Sequence, residues 1–270
     1  MKRLAIIVIH GMGSQQPDFA DPMVREINCR VKGLGKNPDA IAWQPVFWQD
    51  ILEPRQLAYL GSARKRSTMD FVRLRQFILT AFGDAVAYQL TSRSPSAPYQ
   101  MIHARIAAAL RRLYRDQLDA RPQPLIVFAH SLGGHIVSNF IWDKQAHRQK
   151  PMRGISNFER AKTLVGMVTF GCNIPLFTFA FDKVQPIKVP APEVRGAKRA
   201  KAKWLNFYDP DDVLGYPLKP ICPGYANVVS KDVPINVGGV LSSWNPMSHA
   251  GYWTDNDFTK PAAKFVASFL

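Results

Sequence analysis

The chain has 270 residues, 47% of them hydrophobic, which is enough to bury a full core; one domain spanning 1–270 is expected. Lys and Arg number 35 against 20 Asp and Glu, a formal charge of +15. Such a surface attracts nucleic acid, anionic lipid or acidic partners, but there is no zinc-finger spacing, RNP-like aromatic signature or P-loop lysine. A specific nucleic-acid function is therefore not expected, leaving a solvated basic exterior or weak association with anionic surfaces.

In chain order, the first element is a strand at Leu4–Ile9. Two basic residues precede it, as in a signal peptide, but the run is short, β-branched and ends in His-Gly, not in a cleavage site. Ile41–Phe47 reads as the second strand. A helix follows over Thr68–Leu90, with apolar residues at Phe71, Leu74, Ile78, Phe82 and Ala85 and an N-cap at Ser67 or Thr68. Tyr99–Leu118 repeats the pattern with Ile102, Ile106, Leu110 and Leu113, and Pro122 and Pro124 stop it before the strand Leu125–Phe128. A helix over Gly134–Gln145 and strands at Leu164–Phe170, Trp204–Tyr208 and Val233–Val237 complete the set, with Lys183–Lys203 as a surface loop. This alternation implies an α/β fold, a mostly parallel sheet with helices on both faces. No segment approaches the roughly 18 apolar residues of a membrane span. Cys29, Cys172 and Cys222 are scattered without metal-ligand spacing, so free thiols in a reducing, cytoplasmic compartment are expected.

The most informative stretch is Pro124–Gly134, an apolar run that stops at Ala129-His-Ser-Leu-Gly133 and resumes with helical periodicity. A strand, a sharp turn carrying Ser131 and a helix form a nucleophile elbow, with Ala129 and Gly133 small enough to make room for the turn. A serine hydroxyl needs an imidazole to take its proton and a carboxylate to orient that imidazole. His249, in the loop after the last strand, is the expected base; His135 and His147 belong to the helix after the elbow, and His130 reads as a packing or hydrogen-bonding residue. Asp209, Asp211 and Asp212 follow the Trp204–Tyr208 strand; Asp212 is favoured as the acid, Asp209 is the alternative, and Asp211 reads as a turn residue. The oxyanion donors expected are the Leu132 amide and, from the glycine-bearing loop His10–Pro17, the Met12 amide. A dinucleotide site is disfavoured there, because the third glycine and the distal acidic residue are missing.

His10-Gly-Met-Gly13, Ala129-His-Ser-Leu-Gly133, Asp212-Val213 and His249, in that order, resemble the α/β-hydrolase superfamily, in particular its bacterial serine esterase and lipase-like branch. Ala129 stands where glycine is commoner. The resemblance implies an α/β-hydrolase fold and hydrolysis of carboxylic esters through an acyl-serine, without cofactor or metal, on a small-molecule ester that includes lipid among the candidates. Thioesterase or amidase chemistry on the same residues, and a non-catalytic binding protein with a basic surface, are the alternatives. Residues 49–98 are more than a crossover needs and read as a cap-like helical insertion. Within it, 71–88 either lines an acyl pocket or packs its apolar stripe on the sheet.

Overall fold

The computed structural model describes residues 1–88, 96–145, 154–237 and 248–270. Among these residues six strands form one sheet in the order β2-β1-β3-β4-β5-β6, every neighbouring pair parallel. The central strands β1 (Leu4–Ile9), β3 (Leu125–His130) and β4 (Leu164–Phe170) are buried at every position, which is why they read as unbroken apolar runs. β2 (Ile41–Val46) lies at one edge, where Pro45 withholds no needed donor from the ladder. β5 (Lys203–Tyr208) carries the half-exposed β6 (Lys231–Pro234) at the other edge.

Both faces are covered. On one, Phe258 and Phe265 of α9 (Asn256–Ala267) meet Phe170 and Gly166 of β4, and α1 (Asp21–Gly33) packs beside α9. On the opposite face, Gly134 of α5 (Leu132–Gln145) approaches Thr169, which points away from the face that carries Phe170 and the α9 contact at Gly166. α4 (Ala97–Arg112) packs beside α5. Between β2 and α4, α2 (Glu53–Arg66) and α3 (Val72–Ala87) form a packed helical pair, so the expected insertion is a built part of the fold. Three short helices, α6 (Ile174–Thr178), α7 (Gly196–Lys201) and α8 (Pro223–Val228), sit in the later connections.

Several boundaries differ from expectation for identifiable reasons. Ser67 closes α2 and does not open the next helix, which starts at Val72 behind Phe71 in a left-handed conformation; Leu90 lies outside the described residues. The helix expected to run to Leu118 ends as α-helix at Arg112 and finishes in one wider turn over Leu113–Gln117. The last strand lies over Lys231–Pro234 and not over Val233–Val237, because the chain leaves the sheet once the Val237 amide N–H donates to the Asp209 carboxylate at 2.7 Å. The 183–203 segment buries Ile187, Val189, Ala191 and Val194 and contains α7, so it is more than a surface loop. The apolar stripe of α3 also falls elsewhere than expected: the helix buries Thr80, Ala81 and Asp84 and turns Phe71, Leu74, Ile78 and Phe82 to solvent.

Candidate active site

Ser131 is the single residue between β3 and α5, and its φ is +51°, in the left-handed region that costs a non-glycine residue on the order of 1–2 kcal/mol. Its N–H donates to the Phe170 carbonyl of β4 at 3.1 Å, and its carbonyl accepts the Gly134 N–H at 3.0 Å. Two glycines let the backbone close around it. A Cβ on Gly133 would stand 2.6 Å from the His10 carbonyl oxygen, and one on Gly11 would stand 2.5 Å from the Ser131 Cβ. The end of β1, the loop after it and the start of α5 are thus in direct backbone contact.

His249, 118 residues along the chain from Ser131, places its Nε2 2.7 Å from the Ser131 Oγ. Its Nδ1 lies 2.8 Å from Asp212 Oδ2. With Nδ1–H donating to the carboxylate, Nε2 is left to accept the serine proton. Asp212 Oδ1 also accepts the Leu214 N–H at 3.0 Å, and Oδ2 accepts the Tyr252 O–H at 2.9 Å. Burial alone would raise the Asp212 carboxyl, but the hydrogen bonds from His249, Leu214 and Tyr252 outweigh it and hold the group below the usual carboxylate range.

Asp209, the alternative acid, is buried but otherwise engaged: it accepts the N–H of Val237 at 2.7 Å and of Asp211 at 2.9 Å. Its own N–H donates to the Tyr252 hydroxyl at 2.8 Å. That hydroxyl therefore joins the two aspartates' loop to the histidine loop, a role the sequence reading missed. Asp211 is an exposed turn residue, as expected.

Three further histidines are occupied elsewhere. His130 donates its Nε2–H to the His249 carbonyl at 2.8 Å, and burial pushes its pKa down to about 3. His10 stacks on Trp48 at 4.8 Å, donates from Nδ1 to the Gly11 carbonyl and accepts the Trp48 N–H at Nε2. Burial lowers its pKa to about 4. His135 stacks on Phe177 and bonds to Asn139, and His147 lies outside the described residues.

The amides of Met12 and Leu132, the expected oxyanion donors, have no hydrogen-bond partner among the described residues. The next amide, Gly13 N–H, donates at 3.1 Å to Asp84 of α3. Asp84 is fully buried, also accepts from Gln56 of α2 at 2.8 Å, and is pushed up to about 6 by that burial. Ser14 in the same loop donates to Glu53 at 2.5 Å. The helical pair thus braces the loop after β1, a contact across 71 residues for which the sequence holds no short-range signal.

A cleft of about 430 Å³ opens beside the imidazole, lined by Met12, Gln76, Phe77, Thr80, His130 and His249 among others. A separate cavity of about 370 Å³, lined by His135, Trp142 and Phe177 between α5 and α6, shares none of those residues. Cys29, Cys172 and Cys222 are free thiols, and no group of His, Cys, Asp or Glu among the described residues is arranged to hold a metal ion.

No family model and no curated protein matches the chain. Solved structures do. One, described as a YdeN-like hydrolase of Pectobacterium atrosepticum, is 13% identical, with 99% of this chain and 93% of that chain covered and a TM-score of 0.42. A pyrethroid hydrolase of Sphingobium faniae is 12% identical, with 98% and 97% covered and a TM-score of 0.37. An oxidoreductase of Corynebacterium diphtheriae is also 12% identical, at a TM-score of 0.28. Likenesses this distant decide nothing about activity, and the architecture is assigned on this chain's own features. With its parallel sheet in the order 2-1-3-4-5-6, helices on both faces and a left-handed serine between the third strand and its helix, this chain has the α/β-hydrolase fold.

Proposed function

We propose that the protein is a serine hydrolase that cleaves carboxylic esters through an acyl-serine intermediate. The observation carrying this reading is the unbroken hydrogen-bonded run from Ser131 Oγ through the His249 imidazole to the Asp212 carboxylate, at 2.7 and 2.8 Å. In the proposed cycle, His249 Nε2 takes the proton as Ser131 Oγ attacks the ester carbonyl carbon. The resulting imidazolium is stabilised by Asp212, itself held ionised by its three donors. The oxyanion accepts hydrogen bonds from the Met12 and Leu132 amides, which have no other partner among the described residues. His249 then protonates the departing alkoxide. A water enters, loses its proton to His249, and attack on the acyl-enzyme releases the acid and restores Ser131.

The test is hydrolysis of short- and medium-chain nitrophenyl esters together with labelling by a fluorophosphonate, which reacts only with an activated serine. Ser131→Ala and His249→Ala are each expected to lower kcat by about 10⁴-fold or more and to abolish labelling. Wild-type turnover by either variant, or an unlabelled wild type, would overturn the reading; failure to label would favour a binding protein that keeps the fold without turnover. A panel of matched esters, thioesters and amides separates ester hydrolysis from the other acyl transfers that the same residues could perform.

A further inference from the structure

A helix covering a sheet normally buries its apolar stripe and shows its polar side to water. α3 does the reverse. Its inward face carries Thr80 and the carboxylate of Asp84, while Phe71, Leu74, Ile78, Phe82 and Val86, at helical spacing, are exposed by between 46% at Ile78 and 77% at Phe71. The inversion has a local cause, since Asp84 must face inward to receive the Gly13 N–H and the Gln56 amide. Tyr59 of α2 adds a further exposed ring. A contiguous apolar stripe of this kind marks a surface that something covers.

The charges around it say what. Arg64, Lys65 and Arg66 end α2 just before Phe71, Arg73 and Arg75 lie in the first turn of α3, and all five are exposed. Among residues 64–87 the only acidic side chains are Asp70 and the buried Asp84. A second copy of the chain is disfavoured, because self-pairing would bring together two faces that are both net basic in a molecule already carrying +15. An apolar stripe flanked by Arg and Lys is the arrangement of a helix that lies in the interface of a bilayer with anionic headgroups. Arg73 and Phe77 of the same helix line the cleft beside His249.

We infer that the exposed face of α3, with the basic end of α2, docks the protein on anionic lipid bilayers. The interaction is independent of the proposed hydrolysis, and Ser131→Ala should bind as the wild type does. The experiment is co-sedimentation of the full chain with vesicles of phosphatidylcholine alone or with about one-third phosphatidylglycerol, at about 0.1 M and 0.5 M salt. Binding is expected to the anionic vesicles and to weaken several-fold at the higher salt. Ile78→Ser with Phe82→Ser should lower partitioning by about tenfold or more. Arg64→Gln, Lys65→Gln and Arg66→Gln together should lower it on the order of a hundredfold and flatten its salt dependence. Removing the same charge from α7 through Lys198→Gln, Arg199→Gln and Lys201→Gln should leave it nearly unchanged. All these positions are solvent-facing, so thermal melting checks that each variant folds. Absence of vesicle binding, wild-type binding by the Ile78/Phe82 variant, or equal loss from the α7 variant would overturn the inference. So would a dimer, seen by sedimentation velocity, that the Ile78/Phe82 changes dissolve.

Discussion

Mild acid should destabilise this protein, and buried histidines, His10 and His130 among them, set much of the slope. His10 and His130 are buried and can each be satisfied only when neutral. His10 Nε2 already faces the Trp48 N–H donor, and His130 spends its one N–H on the His249 carbonyl with nothing to receive a second proton. Burial lowers them from 6.5 to about 4 and about 3. A folded-state pKa below the unfolded one gives stability that is complete above pH 6.5 and lost as pH falls, because the unfolded chain takes up protons the folded chain refuses. Between pH 7.5 and 5.5 each histidine then costs about 1.4 kcal/mol, roughly 3 kcal/mol for the pair. Asp84 works the other way: its carboxyl is raised from 3.8 to about 6, so acid relieves a buried charge and returns about 1 kcal/mol over the same window. The pair outweighs Asp84 by about 2 kcal/mol, a large fraction of a typical domain's stability, and His103 and His135, both also lowered by burial to about 3, add to the loss. Urea unfolding followed at several pH values measures it directly, and His130→Asn should remove about 1.4 kcal/mol of the loss. A stability that is flat or rises on acidification from pH 7.5 to 5.5 would refute the reasoning.

Three further outcomes concern the site. Gly11→Ala places a methyl carbon 2.5 Å from the Ser131 Cβ, so loop or serine must move by about 1 Å; esterase kcat/KM should fall by about a hundredfold or more while the protein remains folded. Asp212→Asn should lower kcat by about 10³–10⁴-fold. Asp209→Asn, which loosens the Val237 and Asp211 turns, should instead cost about 1–3 kcal/mol in denaturant titration and leave most turnover intact. Asp84→Asn removes the buried charge, so the variant should be more stable at pH 7.5 and no longer gain from Asp84 on acidification. Its kcat should fall with KM little changed as the Gly13 amide loses a charged acceptor.

The parts legible in the sequence were those whose burial is uniform or whose chemistry is local. Leu4–Ile9 and Leu164–Phe170 are covered on both faces, so their ends coincide with the ends of the apolar runs. The serine turn announced itself through small neighbours, and Asp212 and His249 through their places after strands, although only coordinates could separate Asp212 from Asp209 three residues away. α9 escaped notice because Pro261 interrupts its interior, where proline usually signals a break. The apolar stripe of α3 was recognised but assigned inward. That rule failed because the inward face is claimed by a carboxylate whose partner, Gly13, lies 71 residues upstream. Tyr252 was invisible for the same reason: nothing near it in the chain hints that its hydroxyl serves two loops at once.

The brace formed by Asp84, Gln56 and Glu53 has an engineering consequence. In a scaffold whose helical insertion holds nothing else in place, that segment can be exchanged for another. Here a graft replacing residues 49–98 would discard the side chains that hold the glycine loop. A transplant would have to bring its own acceptor for the Gly13 amide, and redesign is better confined to outward positions such as Leu74 and Ile78.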